Sequence, residues 1–259
     1  MQTGNLSYAH SRFAPGLELY AEAHESALRR GDVQAQAWAA IGQAIGWLRT
    51  GDADAALGAL ESLQARLDEA FEDVVADRGA EINAYAMGAL AYDRRGDRQR
   101  ALQAAERAVR VSVESPPFAF YGHVGLGAAC KVVLGLWETS HGGVEADQLR
   151  ALARRSLTAL RQFARIFPIA GPQACLWSGC EHWLCGHPAR AQRAWRRGLA
   201  LAEQLAMPYE EALLHYESGR RLAAGDARRA AHLRRALDIF QTVGAGFDAA
   251  AAQAALAVT

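Results

Sequence analysis

Paired turn signals recur along this chain, and the stretches between them have room for one helix or two. Gly-Asp stands at 31–32, 51–52, 96–97 and 225–226, and Gly186-His187-Pro188 has the same form. A glycine suits the left-handed end of one helix, and an Asp or Pro can open the next. The marks at 51 and 96 are 45 residues apart, and those at 186 and 225 are 39 apart. Such intervals suit helix-pair repeats of variable length.

The periodicity between the marks is helical nearly throughout. In 230–243, Leu233, Ala236, Leu237, Phe240 and Val243 form one apolar stripe, with Arg229, Arg234, Arg235 and Asp238 off it. Alternating Val/Ile/Thr runs are missing, so a sheet has no source. The expected helices are 16–30, 33–49, 53–70, 78–95, 98–113, 117–139, 145–166, 171–185, 188–206, 208–224, 227–243 and 247–257. Pro15, Pro116, Pro117, Pro168, Pro188 and Pro208 fall at their edges. Turns this short force antiparallel neighbours. The fold class is therefore all-α, with residues 15–259 as one helical domain. Residues 1–14 are set apart as an N-terminal segment open to disorder. A break between two sub-arrays is expected near 139–145, around Gly142 and Gly143.

The residues around the marks resemble the tetratricopeptide repeat. Gly88, Tyr92, Gly96, Ala101, Ala105, Ala108 and a late Pro116 follow its pattern. Gly179, Gly186, Ala191, Trp195 and Gly198 follow it again, as do Trp38, Gly42, Gly51 and Ala56, and more weakly Gly225 and Ala230. The logic is physical. Small residues let two helices approach closely, and an aromatic fills the hole between adjacent pairs. The resemblance implies a right-handed superhelix of antiparallel helix pairs with a concave groove.

Residues 188–250 are similar to the C-terminal repeat region of large bacterial signalling ATPases and class III adenylate cyclase-type regulators. Trp195, Met207-Pro208-Tyr209-Glu210, Gly219-Arg220, Gly225-Asp226, Ile239-Phe240 and Gly244-Ala245 carry this likeness. The chain lacks those proteins' phosphate-binding loop. Its one lysine, Lys131, stands between Cys130 and Val132 rather than before Ser or Thr. The likeness thus implies the repeat region without its catalytic module.

Chemistry-bearing patterns are sparse. Cys175, Cys180, His182, Cys185 and His187 are metal-ligand types, but no pair has zinc-knuckle spacing, and small buried cysteines explain the thiols better. Glu210 and Glu211 are adjacent, hence on different faces, and sit in the first turn after Pro208, where the helix dipole favours carboxylates. His24-Glu25 lacks the second histidine of a metalloprotease helix. Gly122, Gly125 and Gly127 lie in an apolar helical stretch and read as close packing. Arginine doublets, among them Arg154-Arg155 and Arg234-Arg235, read as solvated helix faces.

Composition narrows the classes that remain. Basic and acidic residues number 28 each, so the net charge is zero and gives no support to a nucleic-acid or acidic-membrane binder. The most apolar stretch, 118–137, carries His123 and Lys131 near its middle and reads as a buried helix rather than a membrane span. The N-terminus has no signal-peptide pattern, and four clustered cysteines fit a reducing cytoplasm. Alanine at about 22% and 27 arginines against one lysine suggest a GC-rich bacterial source.

The expected function is a non-catalytic protein-interaction scaffold, the regulatory or sensing part of a bacterial signalling assembly, with no cofactor. Its concave groove would hold a protein or peptide, or a second copy of the chain. Repeat mapping places Asn83, Asp93, Arg94, Trp183 and His215 in that groove. One alternative is a small-molecule sensor whose pocket His123, Cys130 and Lys131 line. Another is a metal-dependent hydrolase using His182, Cys185 and His187.

Overall fold

The computed structural model describes residues 2–70, 77–114 and 120–258. Among them the chain is all-α, with no strand. Thirteen helices follow in order: α1 (Gln2–Ala9), α2 (Phe13–Arg30), α3 (Val33–Thr50), α4 (Ala53–Ala70), α5 (Arg78–Arg94), α6 (Arg98–Glu114), α7 (His123–Glu138), α8 (Gly143–Ile166), α9 (Gly171–Leu184), α10 (Pro188–Gln204), α11 (Pro208–Arg220), α12 (Ala227–Thr242) and α13 (Gly246–Ala257). Short 3₁₀ turns at Phe120–Gly122 and Pro168–Ala170 lead into α7 and α9. Pro116 and Pro117 lie outside the described residues.

The glycine marks end helices by one mechanism. Gly31, Gly51, Gly96 and Gly186 take positive φ, and the next backbone N–H reaches back five residues. Asp32 N bonds Ala27 O at 3.0 Å, Asp52 N bonds Trp47 O at 2.8 Å, Asp97 N bonds Tyr92 O at 2.9 Å, and His187 N bonds His182 O at 2.8 Å. The same aspartates then cap the following helices: the side chains of Asp32, Asp52 and Asp97 accept from Ala35, Ala55 and Arg100 N–H groups at 2.9–3.0 Å. One dipeptide stops a helix and starts the next. Ala206 does a glycine's work at φ 50°, with Met207 N bonding Ala202 O at 2.9 Å.

Successive helices pack as pairs, α2 with α3, α5 with α6, α9 with α10, and α11 with α12. Small residues and aromatics interlock at several of these contacts. A Cβ on Gly179 would stand 2.1 Å from the Trp195 indole, and one on Gly42 would stand 2.4 Å from the Tyr20 ring. Trp195 is buried over Gly179, and its Nε1–H donates to Leu176 O at 3.1 Å. Gly88 differs, because nothing lies within 4 Å of a Cβ placed there. With Tyr92 it opens onto a surface groove between α4, α5 and α6.

α7 sits at the centre, packed against α5, α6, α8 and α9. Residues Phe120–Glu138 form the one described stretch long and apolar enough to cross a membrane, with mean hydropathy 1.2, and 67% of it is buried. α7 and α8 also pack on each other across the turn where Gly142 and Gly143 take positive φ.

Residues 2–9, outside the expected helices, form α1. It is held by Tyr8, whose hydroxyl donates to Gly42 O on α3 at 2.8 Å. The two ends of the array also meet. α13 packs on α3, Phe247 lies beside Gly51, and the Ser11 hydroxyl accepts from Tyr209 N at 3.0 Å. Phe13 meets the Tyr209 ring edge-on at 5.4 Å.

A central aromatic cavity as candidate functional site

Where the ends meet, the helices line a partly open cavity of about 270 Å³. Its walls come from α1, α2, α3, α5, α7 and the first turn of α11, with the turns before α7 and α9. Seven aromatic side chains line it: Tyr8, Phe13, Tyr20, Trp38, Phe120, Tyr121 and Tyr209. Ile41, Ile45, Val124, Ile169 and Met207 fill the spaces between them.

The polar tips of these aromatics are tied back into protein. Tyr20 donates to Asn5 Oδ1 at 2.7 Å. Asp77 Oδ2 accepts from Trp38 Nε1 at 2.6 Å and from the Tyr121 hydroxyl at 2.8 Å. Its other oxygen caps α5 through Gly79 and Ala80 N–H. One carboxylate thus joins a helix cap to two walls of the cavity. Burial raises the phenol pKa values of Tyr8, Tyr20, Tyr121 and Tyr209, so these groups stay neutral donors. What faces the cavity is mostly ring.

Asn83, His123 and Glu210 also reach the wall. Asn83 is committed on both sides, accepting from Gly125 N at 2.8 Å and donating to Tyr121 O at 3.3 Å. The His123 Nδ1 meets Phe120 O at 2.7 Å. Burial pushes the His123 pKa down to about 4 against the pull of that carbonyl, and Arg49 adds to the push. The ring is therefore neutral, with Nδ1 carrying the proton. Glu210, buried in the first turn of α11, accepts from Gln173 Nε2 at 3.1 Å, and desolvation raises its pKa. Glu211 faces elsewhere and pairs with Arg235 at 2.8 Å.

A buried polar belt floors the cavity. Arg49 donates to the Tyr209 hydroxyl, which donates to Asp248 Oδ2 at 2.7 Å. Asp248 also pairs with Lys131 at 3.0 Å and lies 3.8 Å from Arg94. Burial alone would raise the Asp248 carboxyl, but Lys131, Arg94 and Arg49 with the Tyr209 hydroxyl hold it at about 2. Beyond the belt lies a second cavity of about 180 Å³, lined by Lys131, Asp248, Asp93, Trp177 and Tyr216 among others.

The five residues expected in a shared groove are dispersed. Asn83 clamps the start of α7 at the central cavity. Asp93 lines the second cavity, its pKa raised by burial while Lys131, Arg94 and Arg98 oppose the rise. The Arg94 side chain is buried, donates to Leu48 O, and lies 3.9 Å from the Phe247 ring centroid. Trp183 is half-buried, 6.1 Å from Trp195. His215 meets His232 at 2.7 Å between ring nitrogens, and burial with that neighbour lowers its pKa to about 4. Asp93 and Arg94 alone come together, beside Lys131 and Asp248.

The three residues expected around a small molecule also part ways. His123 lines the central cavity and Lys131 the second one. Cys130 is fully buried against Ser156 at 2.9 Å, and burial raises its thiol to about 12. Among the described residues no three His, Cys, Asp or Glu side chains converge as a metal site, His182, Cys185 and His187 included. Arg49, Tyr209 and Asp248 carried no local signal, although Tyr209 belongs to the Met-Pro-Tyr-Glu run at 207–210.

No protein-family model matches the chain, and no curated protein matches it.

Proposed function

We propose that this chain is a non-catalytic sensing domain of the tetratricopeptide-like kind, which binds a small molecule at the centre of its helical array. The observation that carries the reading is the aromatic-lined cavity of about 270 Å³ where the two ends of the array meet. Ligand sites are typically concave and mainly apolar, with a few placed polar groups. Here a handful of polar atoms stand among aromatic and aliphatic walls. A bound molecule would touch α3, α5, α7 and α11 at once. It would therefore favour the closed arrangement in proportion to its affinity for that state. Such coupling suits the sensing part of a bacterial signalling assembly.

A screen of small metabolites by thermal denaturation tests this reading. A true ligand raises Tm by mass action. The shift should vanish in Ile45→Trp, which fills the cavity. Silence across the panel, or a shift that survives the filled cavity, would overturn the proposal.

A protein-interaction role is the second reading. It is favoured by the groove of about 410 Å³ between α4, α5 and α6, where Leu57 and Leu60 lie near Tyr85 and Tyr92. Arg107 and Arg100 stand over those two tyrosine rings at 4.7 and 5.7 Å. Tyrosine and arginine are the residue types that most often anchor protein partners. Loss of partner capture in Tyr92→Ala with Arg107→Ala, with Tm unchanged, would support it.

A further inference from the structure

We propose that the central cavity takes a small uncharged aromatic or heteroaromatic molecule whose N–H or O–H group donates to His123 Nε2. This rests on the cavity being a ligand site. Its size sets the first limit. At about 270 Å³ it gives room for a one- or two-ring molecule. Its walls set the second. With their polar tips bonded to protein partners, Tyr8, Tyr20, Trp38, Tyr121 and Tyr209 offer ring faces and edges to another flat ring.

Charge sets the third limit. The cationic group on the wall, Arg49, already lies 4.0 Å from the Tyr209 ring and donates to its hydroxyl, which leads on to Asp248. The acidic group, Glu210, holds Gln173 at the N-terminus of α11. The two charges on the wall are opposite in sign and act on each other, Arg49 pulling the Glu210 pKa down against its burial, so the wall as a whole offers no net charge to repay an ionic ligand for its lost hydration.

His123 sets the direction of recognition. Its Nδ1–H is spent on Phe120 O, so Nε2 presents a lone pair. Among the described residues no hydrogen bond reaches that atom, and the ring lies on the cavity wall. A site with such an acceptor favours a ligand that brings a donor over an isostere without one.

Calorimetric titration of the full chain with indole, naphthalene, benzoate and tetramethylammonium tests the assignment. Indole should bind about tenfold tighter than naphthalene, the worth of one hydrogen bond. His123→Asn keeps an amide donor near Phe120 O but removes Nε2, and it should erase that preference while naphthalene binding persists. Histidine ¹⁵N NMR on the unsubstituted protein needs no variant to fold. Indole should move the unprotonated Nε2 resonance upfield as it accepts the bond. Tightest binding of benzoate or tetramethylammonium, abolished by Ile45→Trp, would overturn the ligand class and leave the cavity as a binding site. Failure of all four probes to bind, or binding indifferent to Ile45→Trp, would overturn both.

Discussion

Arg49 and Tyr209 are 160 residues apart, yet the guanidinium lies 4.0 Å from the phenol ring centroid and donates to its hydroxyl. The contact joins α3 to α11 and leads on to Asp248 of α13. Removing the hydroxyl strands charged partners on both sides. Tyr209→Phe should cost ~3 kcal/mol by urea denaturation. Asp248→Ala should cost more, about 3–5 kcal/mol, because Lys131 and Arg94 lose their buried counterion. The double variant should lose less than the sum, because the two share one network.

The pH dependence follows from His123. Its folded pKa is lowered to about 4 from an ordinary 6.5, so between those values the unfolded chain holds the extra proton. Stability should therefore fall as pH drops from about 6.5 to about 4, and level off for this group below that. His215, shifted to the same value, acts in the same window. His123→Asn should flatten the slope without changing its sign. Asp248 works lower down. Its stabilising effect is present above about 4 and is lost as pH falls through about 2. Tm measured from pH 8 to pH 2 would separate the two windows.

Two glycines in comparable helical positions should respond oppositely to alanine. At Gly179 the new methyl would collide with the Trp195 indole, so Gly179→Ala should destabilise by about 1–3 kcal/mol. At Gly88 the methyl meets nothing, so Gly88→Ala should stabilise by up to about 1 kcal/mol through helix propensity. Thermal melts of the two variants would show shifts of opposite sign.

Asp77 serves a helix cap and two cavity walls together. Asp77→Ala should cost about 1 kcal/mol for the cap and a further ~1–2 kcal/mol for the orphaned Trp38 and Tyr121 donors. Its distinctive effect should be on binding. A ligand of the central cavity should lose affinity more in Asp77→Ala than in Asp226→Ala, which caps α12 away from that cavity.

The helices were legible because what ends them is local. A glycine at positive φ and the aspartate that follows it act within one turn, so Gly51-Asp52 announces itself in sequence. The Trp195–Gly179 contact was legible for a similar reason, since paired helices are chain neighbours. Gly88 follows the same motif and is buried, but no side chain fills the space beside it, and sequence cannot distinguish a notch that is filled from one that is open. α1 has no apolar stripe, its C-terminus is closed by Ser11 at positive φ rather than by a glycine, and the bond from Tyr8 ties it to a helix some thirty residues on. The cavity was the least legible feature. Its walls are chosen by which faces turn inward after the whole array has formed, and nothing near Arg49 points to Tyr209 or Asp248.

The meeting of α3 with α11 and α13 bears on how such a chain can change. An open array lengthens freely by duplication, because each added unit needs only the neighbour it stacks on. Here a duplicated helix pair would push Arg49 away from Tyr209 and strand Lys131 without Asp248. Insertion between α3 and α11 is thereby limited by the contacts that join them, as an added stave is limited by the hoop of a cask. Variation has its freest course on the outer faces, while a gain or loss of one unit must be answered on the far side of the molecule.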